Sequence, residues 1–372
     1  MANRDVKLRV LFLTKYPVSK PSTRFRVMQY LPYLETAGIR CTVAPPMPES
    51  LYNRLYRGRG IVTRLLFHLA EIVGRMLSLL RVFNHDIIFV QKGLLSLPIK
   101  GIDVLLMMTG KPFIYDFDDA VHLFPASSFV KFPLHVLDNP NEVIRIIRRA
   151  RVVIAGNRFL ERDVTGRARR VTVIPTCVDL RQVPLRPPCR QNGPVTILWS
   201  GNRSGYDELN RCFSFLRQLW MTHRSRVMIL SDTHEGIHPG FWDIDAGFIP
   251  WSVENERKAF QTADIGIMYL YDTLWNRRKC AFKALLYMAN GIPAVVSPVG
   301  IATDIVRDGE NGLLAADDAE WFGKIERLVC DRDLRERIGA AGRTTVERDF
   351  SLERWAPLWV GQVRQAARRD HD

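Results

Sequence analysis

The stretch Asn276–Val299 reads Asn-Arg-Arg-Lys-Cys-Ala-Phe-Lys-Ala-Leu-Leu-Tyr-Met-Ala-Asn-Gly-Ile-Pro-Ala-Val-Val-Ser-Pro-Val. A basic turn, Asn276 to Lys279, leads into an apolar segment of helical period carrying Phe282, Leu285, Leu286 and Ala289. Gly291 and Pro293 stop that helix, and Ala294-Val295-Val296 continues as a short buried strand. The order is therefore loop, helix, glycine stop, strand. A helix start bearing Lys279 and, one turn on, Lys283 offers free backbone N–H groups, a positive dipole end and two ammonium groups to one spot, as a phosphate site does. A solvated basic helix start fits the same residues.

Working outward, the 372 residues suffice for two domains of ordinary size, and 47% hydrophobic with 25% charged residues describes a globular chain. Six scattered cysteines without a C-x-x-C pair read as reduced thiols in a cytosolic protein, with no zinc site. A strand begins directly after Met-Ala-Asn-Arg-Asp-Val-Lys, so no signal peptide is visible. The net charge of +14 is uneven: residues 1–190 hold 30 Lys+Arg against 14 Asp+Glu, and the remainder is slightly acidic. Such a field attracts nucleic acid, anionic lipid or phosphorylated small molecules. No nucleic-acid motif accompanies it.

The first half opens β-α-β. Leu8–Thr14 is a continuous apolar run of central-strand type, a helix capped by Ser22 or Thr23 covers about Arg24–Thr36, and Cys41–Ala44 is a second strand. That alternation marks a doubly wound sheet, and no G-x-G-x-x-G follows the first strand, which argues against a dehydrogenase-type dinucleotide site. Residues 61–83 are the most apolar part of the chain. One narrow polar stripe, Arg64, His68, Glu71, Arg75 and Ser78, runs along a helix otherwise built of Ile, Leu, Val, Met and Phe. Its ionisable groups argue against a membrane span. The apolar face packs on the sheet, or part of it, with Arg54, Arg57 and Arg59 just upstream, sits in a lipid interface, and the two are not exclusive. Further strands are expected at Asp86–Gln91, Lys111–Tyr115, Val152–Ala155 and Val171–Ile174, with helices near Pro98–Met108 and Asn139–Ala150. The strand at Lys111–Tyr115 empties into Asp116-Phe117-Asp118-Asp119, where mutually repelling carboxylates at a strand end suggest function.

Four prolines and no hydrophobic period over residues 181–194 indicate a linker. The alternation then restarts: strands at Val195–Trp199, Val227–Leu230 and Ile265–Leu270, an edge segment or loop at Phe248–Trp251, and helices at Glu208–Trp220, Glu254–Thr262, Trp321–Cys330 and Asp333–Gly339. An amphipathic segment, Leu352–Arg369, ends the chain. The expected organisation is an N-terminal Rossmann-like domain over 1–184, a Pro-rich linker over 185–194 and a C-terminal Rossmann-like domain over 195–350. The terminal helix, 352–370, is expected to pack back on the first domain, and a nucleotide cleft is expected between the two.

The run Lys279–Lys283, then Tyr287–Ser297, then Gly300 and Asp304–Gly312, resembles retaining glycosyltransferases of family 4, which have a GT-B fold of two Rossmann-like α/β domains facing a cleft. Ser22–Arg26, Tyr115–Asp119, Ala155–Asn157 and Ile174–Asp179 fit the same group. The resemblance implies a nucleotide-sugar donor on the C-terminal domain and an acceptor on the N-terminal one. By it, Gly201, Arg203, Lys283 and the backbone of Lys279, Cys280, Ala281 and Phe282 clamp the donor diphosphate, with Trp251 near the base. Arg24 and Asn157 belong to the acceptor side or cleft. No cofactor beyond the nucleotide-sugar co-substrate and no metal are implied. Two departures stand out. The family's two glutamates, eight residues apart, correspond to Arg278 and Leu286, and its N-terminal histidine to Asp118. Asp118 is the expected catalytic group, with Asp116 and Asp119 as competitors. The expected function is retaining transfer of a sugar to a lipid-linked or cell-envelope glycan, in the cytoplasm or on the inner face of the cytoplasmic membrane, where an anionic surface is a further expected partner. The alternative is a non-catalytic homologue that keeps the phosphate pocket.

Overall fold

The computed structural model describes residues 8–58, 60–96, 101–123, 141–188 and 193–368. Residues 189–192 of the expected linker, the expected helix starts at Pro98 and Asn139, and the basic residues Arg59 and Arg369 lie outside the described residues. Two compact units divide the chain: Met1–Cys177 with Trp355–Asp372, and Val178–Arg354.

In the first unit six strands, β1 (Arg9–Leu13), β2 (Arg40–Ala44), β3 (Ile87–Gln91), β4 (Phe113–Phe117), β5 (Val152–Ala155) and β6 (Val171–Val173), form a parallel sheet in the order β2-β1-β3-β4-β5-β6. β3, β4 and β5 are buried along their whole length, as strands covered on both faces must be. The strand order reverses at β1, and an open α/β sheet binds ligands outside the carboxyl ends at such a point. β4 continues through Asp116 and Phe117, which pair with β3 and β5, so Asp116 is a strand residue rather than part of the loop beyond.

The helix expected over Arg24–Thr36 is broken into Pro21–Arg26, a 3₁₀ turn Met28–Tyr30 and Leu31–Thr36. Val27 leaves helical geometry (φ −128°, ψ −63°), and Pro32 has no N–H with which to continue the ladder. Because Pro21 occupies the first turn, Ser22 and Thr23 lie inside the helix and do not cap it. Thr23 Oγ1 donates instead to the Tyr16 carbonyl at 3.0 Å. Trp359, on the helix Leu352–Ala367, is fully buried in this unit, with ring centres 5.0 Å from Phe89 and 5.1 Å from Tyr30.

The helix Ile61–Leu80 resolves the two orientations left open above. Glu71, Arg75 and Ser78 are buried, while Arg64 at the start of the stripe and Leu65, Leu69, Val73, Met76 and Leu80 are exposed, so the stripe from Glu71 to Ser78 faces the protein and this apolar row does not. Hydrogen bonds decide this. Arg75 donates to the carbonyls of Leu94 (2.7 Å), Ala44 (3.1 Å) and Thr14 (2.6 Å), and Glu71 accepts from the backbone N–H (3.1 Å) and hydroxyl (2.6 Å) of Ser96. Charge-assisted bonds to strand-end carbonyls satisfy groups that burial would otherwise leave unbonded. Gly74 permits the approach, since a Cβ there would lie 1.6 Å from the Pro46 carbonyl oxygen.

The second unit repeats the plan with β7 (Thr196–Ser200), β8 (Arg226–Ser231), β9 (Ala246–Pro250), β10 (Ile265–Met268), β11 (Ala294–Val296) and β12 (Leu313–Leu314), all parallel, in the order β12-β11-β10-β7-β8-β9. Residues 246–250 are thus an edge strand. Its switch point lies between β7 and β10. The helix expected over Glu208–Trp220 is two, Tyr206–Arg211 and Phe213–His223. The helix expected to stop at Gly339 runs from Arg332 to Asp349. Gly339 is a contact and not a terminator: a Cβ there would stand 2.1 Å from the Gly291 carbonyl oxygen. The start of the Pro-rich segment belongs to this unit. The Arg186 N–H donates to Asn290 O at 3.0 Å and its guanidinium to Gly291 O at 3.1 Å.

Candidate functional site

At the switch point of the second unit, the turn after β7 carries Gly201 and Arg203, and the segment after β10 carries Lys279 and the helix Phe282–Ala289. Tyr287 ties the two strands together. Its hydroxyl accepts the Ser200 N–H at 3.1 Å and donates to Ile267 O at 3.3 Å. The helix begins only at Phe282, after Ala281 in left-handed geometry (φ 48°). Lys279 therefore precedes the helix in extended backbone and does not sit in its first turn. A non-glycine residue at positive φ is uncommon, and here it turns the chain so that the helix's first N–H groups follow directly on the basic loop.

Lys283 is half-buried, with its ammonium 4.7 Å from the centre of the Trp199 ring. A Cβ on Gly201 would lie 2.2 Å from that ring and 2.9 Å from Lys283 Nζ, so the glycine is what admits the amine to the turn. Burial, and next the charge of Lys279, push the Lys283 ammonium down to about 8, with Glu208 working in the opposite direction. Among the described residues no carboxylate forms an ion pair with it. Lys279 Nζ lies 3.2 Å from Glu208 Oε1, which also accepts from Asn276 Nδ2 at 3.0 Å. Sequence reasoning missed buried Glu208; its only signal was a carboxylate on the helix after the glycine turn. Arg203 is exposed, its backbone N–H bonded to Asp232 (3.0 Å) and its guanidinium 3.6 Å from Glu235.

Cys280 is a buried free thiol and Phe282 is half-buried. Trp251, just beyond β9, donates its indole N–H to Glu256 at 2.8 Å and its backbone N–H to Ser231 O at 2.7 Å. Arg278 donates to the Leu274 carbonyl at 3.3 Å, and Leu286 packs against the unit's apolar core, so neither supplies a carboxylate.

In the first unit the three aspartates separate into two environments. Asp116 is fully buried in a bidentate pair with Arg26, one bond being 3.1 Å from Nε to Oδ2, and Arg26 also donates to Ile174 O at 2.8 Å. Burial raises the Asp116 carboxyl, and Arg26 opposes the rise. Asp118 and Asp119 lie beyond the end of β4, and both meet Lys92, at 2.8 Å and 2.5 Å. Lys92 sits at the end of β3 in left-handed geometry (φ 61°), and its two carboxylates hold its ammonium well above the usual lysine value against the opposing effect of burial. No sequence motif marked it. Asn157 is a buried helix cap that accepts the N–H groups of Phe159 and Leu160, both at 3.0 Å. Arg24 lies on the helix Pro21–Arg26 with its guanidinium 4.4 Å from the Phe25 ring centre.

The fold is found among enzymes of known structure. Sucrose-phosphate synthase from Thermosynechococcus elongatus superposes with a TM-score of 0.68 at 13% identity, over 96% of this chain and 98% of that one. HepE of Anabaena, solved in complex with UDP-glucose, superposes with a TM-score of 0.65 at 13% identity, over 96% and 100%. With the two parallel six-stranded sheets, these likenesses define a two-domain Rossmann-like GT-B α/β fold. Residues 244–331, under a quarter of the chain, match the family described as glycosyl transferases group 1. That span holds Trp251 and all of Arg278–Leu286. A D-inositol 3-phosphate glycosyltransferase of a Nocardioides species is 38% identical over 80 residues, which are 21% of this chain and 17% of that protein's length.

Proposed function

We propose that the protein is a glycosyltransferase that moves a sugar, with retention, from a nucleoside-diphosphate sugar to a lipid-linked or cell-envelope glycan. The observation that carries this reading is Lys283, desolvated between Trp199 and Gly201 beside Lys279 at the switch point of the second sheet. A diphosphate entering there would meet two ammonium groups and the first N–H groups of the helix Phe282–Ala289. The same charges would stabilise the departing nucleoside diphosphate, so they would act in the transition state as well as in binding. The group 1 match over 244–331 and the shorter match to a curated glycosyltransferase support the chemistry. HepE, a fold neighbour that binds UDP-glucose, makes that sugar nucleotide the first donor to test.

Asp118 is the proposed group that polarises the reacting sugar or the acceptor hydroxyl. It lies beyond the end of β4, 2.8 Å from the Lys92 ammonium, whereas Asp116 is engaged by Arg26 at both oxygens within the strand. In this reading the work is done on the cytoplasmic side, at an anionic membrane surface, and the donor is the only co-substrate. A panel of UDP-, GDP- and ADP-sugars, scored by thermal shift, hydrolysis and the anomeric configuration of product, tests the proposal. Donor-dependent turnover that Asp118→Asn abolishes while nucleotide binding survives is the expected result. If none of the panel binds or turns over, the reading fails. Leu286 and Arg278, in place of carboxylates, favour one alternative, a non-catalytic homologue that binds the nucleotide without turnover in any variant.

A further inference from the structure

The helix Ile61–Leu80 is built inside out relative to an ordinary surface helix. Arg75 of its polar stripe is spent on carbonyls at the carboxyl ends of β1 and β2 and in the loop after β3, Glu71 on Ser96 of that loop, and its outer face is a row of large apolar side chains. Ile61, Leu65, Leu69, Val73, Met76 and Leu80 recur every three or four residues along it, with Leu69 at 56% and Val73 at 51% exposure. A surface helix normally turns such a row to the core, and a contiguous exposed apolar face marks an interaction site. No helix of the described residues is long and apolar enough to cross a membrane.

We propose that this face docks flat into the interface of an anionic lipid bilayer. Charge selects that occupant. Residues 51–85 contain six arginines and a single acid, Glu71, which is buried. Arg64 and Arg81 are exposed towards the two ends of the apolar row and Arg54 is exposed on the preceding helix Glu49–Arg57, and among the described residues none of them pairs with a carboxylate. A second copy laid on the same face would bring arginines against arginines, whereas anionic headgroups would meet them while acyl chains meet the leucines. Tyr56, 60% exposed and leaning on Phe67 with ring centres 6.4 Å apart, adds an aromatic of the kind that sits at headgroup level.

The position of the helix gives docking a consequence. Arg75 bonds Thr14 and Leu94, which follow β1 and β3, the two strands that flank the switch point of the first sheet. Asp118, Asp119 and Lys92 lie at the same carboxyl edge. A docked helix brings that edge to the lipid surface, so an acceptor anchored in the bilayer reaches it without leaving the membrane. This last step rests on the proposed glycosyl transfer; docking itself does not.

Flotation of the full chain with vesicles of phosphatidylcholine, with and without phosphatidylglycerol, tests the docking. The wild type is expected to float with the anionic vesicles, to be released by salt, and to float poorly with phosphatidylcholine alone. Leu65→Glu with Leu69→Glu is expected to lower anionic-vesicle partition about tenfold or more, while Met221→Glu, an exposed apolar position of the second unit, changes nothing. UDP-glucose binding measured on the same preparations shows that the double variant is folded and reads the donor site separately. Flotation of the double variant equal to wild type would overturn the proposal. So would a wild type that ignores anionic vesicles, or one that light scattering shows to be a dimer dissociated by the double substitution.

Discussion

Lys283 Nζ stands 4.7 Å over the Trp199 ring, and Gly201 is what allows it to stand there. An aromatic face offers the ammonium some electrostatic compensation but no proton acceptor, so the charge is held at a site that a phosphate would stabilise far better. Lys283→Ala is expected to weaken UDP binding by about 10- to 100-fold, the range of one lost charge-assisted contact. Isothermal titration of the purified protein measures it.

The depressed lysine sets a pH dependence whose sign follows from linkage. Phosphate binds the protonated amine, so UDP affinity is expected to hold from the second phosphate ionisation, at about 6, up to about 8 and to fall as pH rises through the latter value. Two substitutions should move the break in opposite directions. Lys279→Gln removes a repelling charge and shifts it upward; Glu208→Gln removes a supporting charge and shifts it downward. Lys283→Gln should abolish it. Titrations at a series of pH values separate the four proteins.

Gly201→Ala places a methyl group 2.2 Å from the Trp199 ring and 2.9 Å from Lys283 Nζ. Relief requires moving one or the other, at a cost of about 1–3 kcal/mol in stability. Reduced UDP affinity should accompany the lowered melting temperature, since the displaced groups are those of the site. A substitution that lowered neither would show the turn to be slack.

Arg26 and Asp116 form a fully buried pair. Arg26→Met leaves a buried carboxylate and an unbonded Ile174 carbonyl, and is expected to cost about 3–5 kcal/mol in urea denaturation. Adding Asp116→Leu should recover much of that loss, because the uncompensated charge goes with it. Asp116→Leu in the Arg26→Met background that recovers nothing would argue for a role of the carboxylate beyond the pair.

Much of this molecule is written locally. The periodicity of Phe282–Ala289, the left-handed Gly291 (φ 73°) and the buried runs of β1, β3 and β10 follow from side-chain size and backbone freedom within a few residues, and the two rounds of strand and helix were legible from them. The basic residues Lys279 and Lys283 could be named because they sit beside a helix start. Their partners could not. Glu208 reaches Lys279 across 71 positions and Lys92 reaches Asp119 across 27, and nothing local to either one names its partner.

The same division explains the errors of detail. Gly339 looked like a helix end because a glycine lowers helix propensity, but the Gly291 carbonyl packed against it repays that loss. Asp116 looked like part of a loop because carboxylates are rarely buried, but Arg26, 90 positions earlier, neutralises it within the strand. Composition and spacing alone determined that the Ile61–Leu80 helix has one polar and one apolar face. Only the tertiary structure decided which face turns inward, because the free energy of three carbonyls bonded by Arg75 depends on strand ends that are remote in the chain.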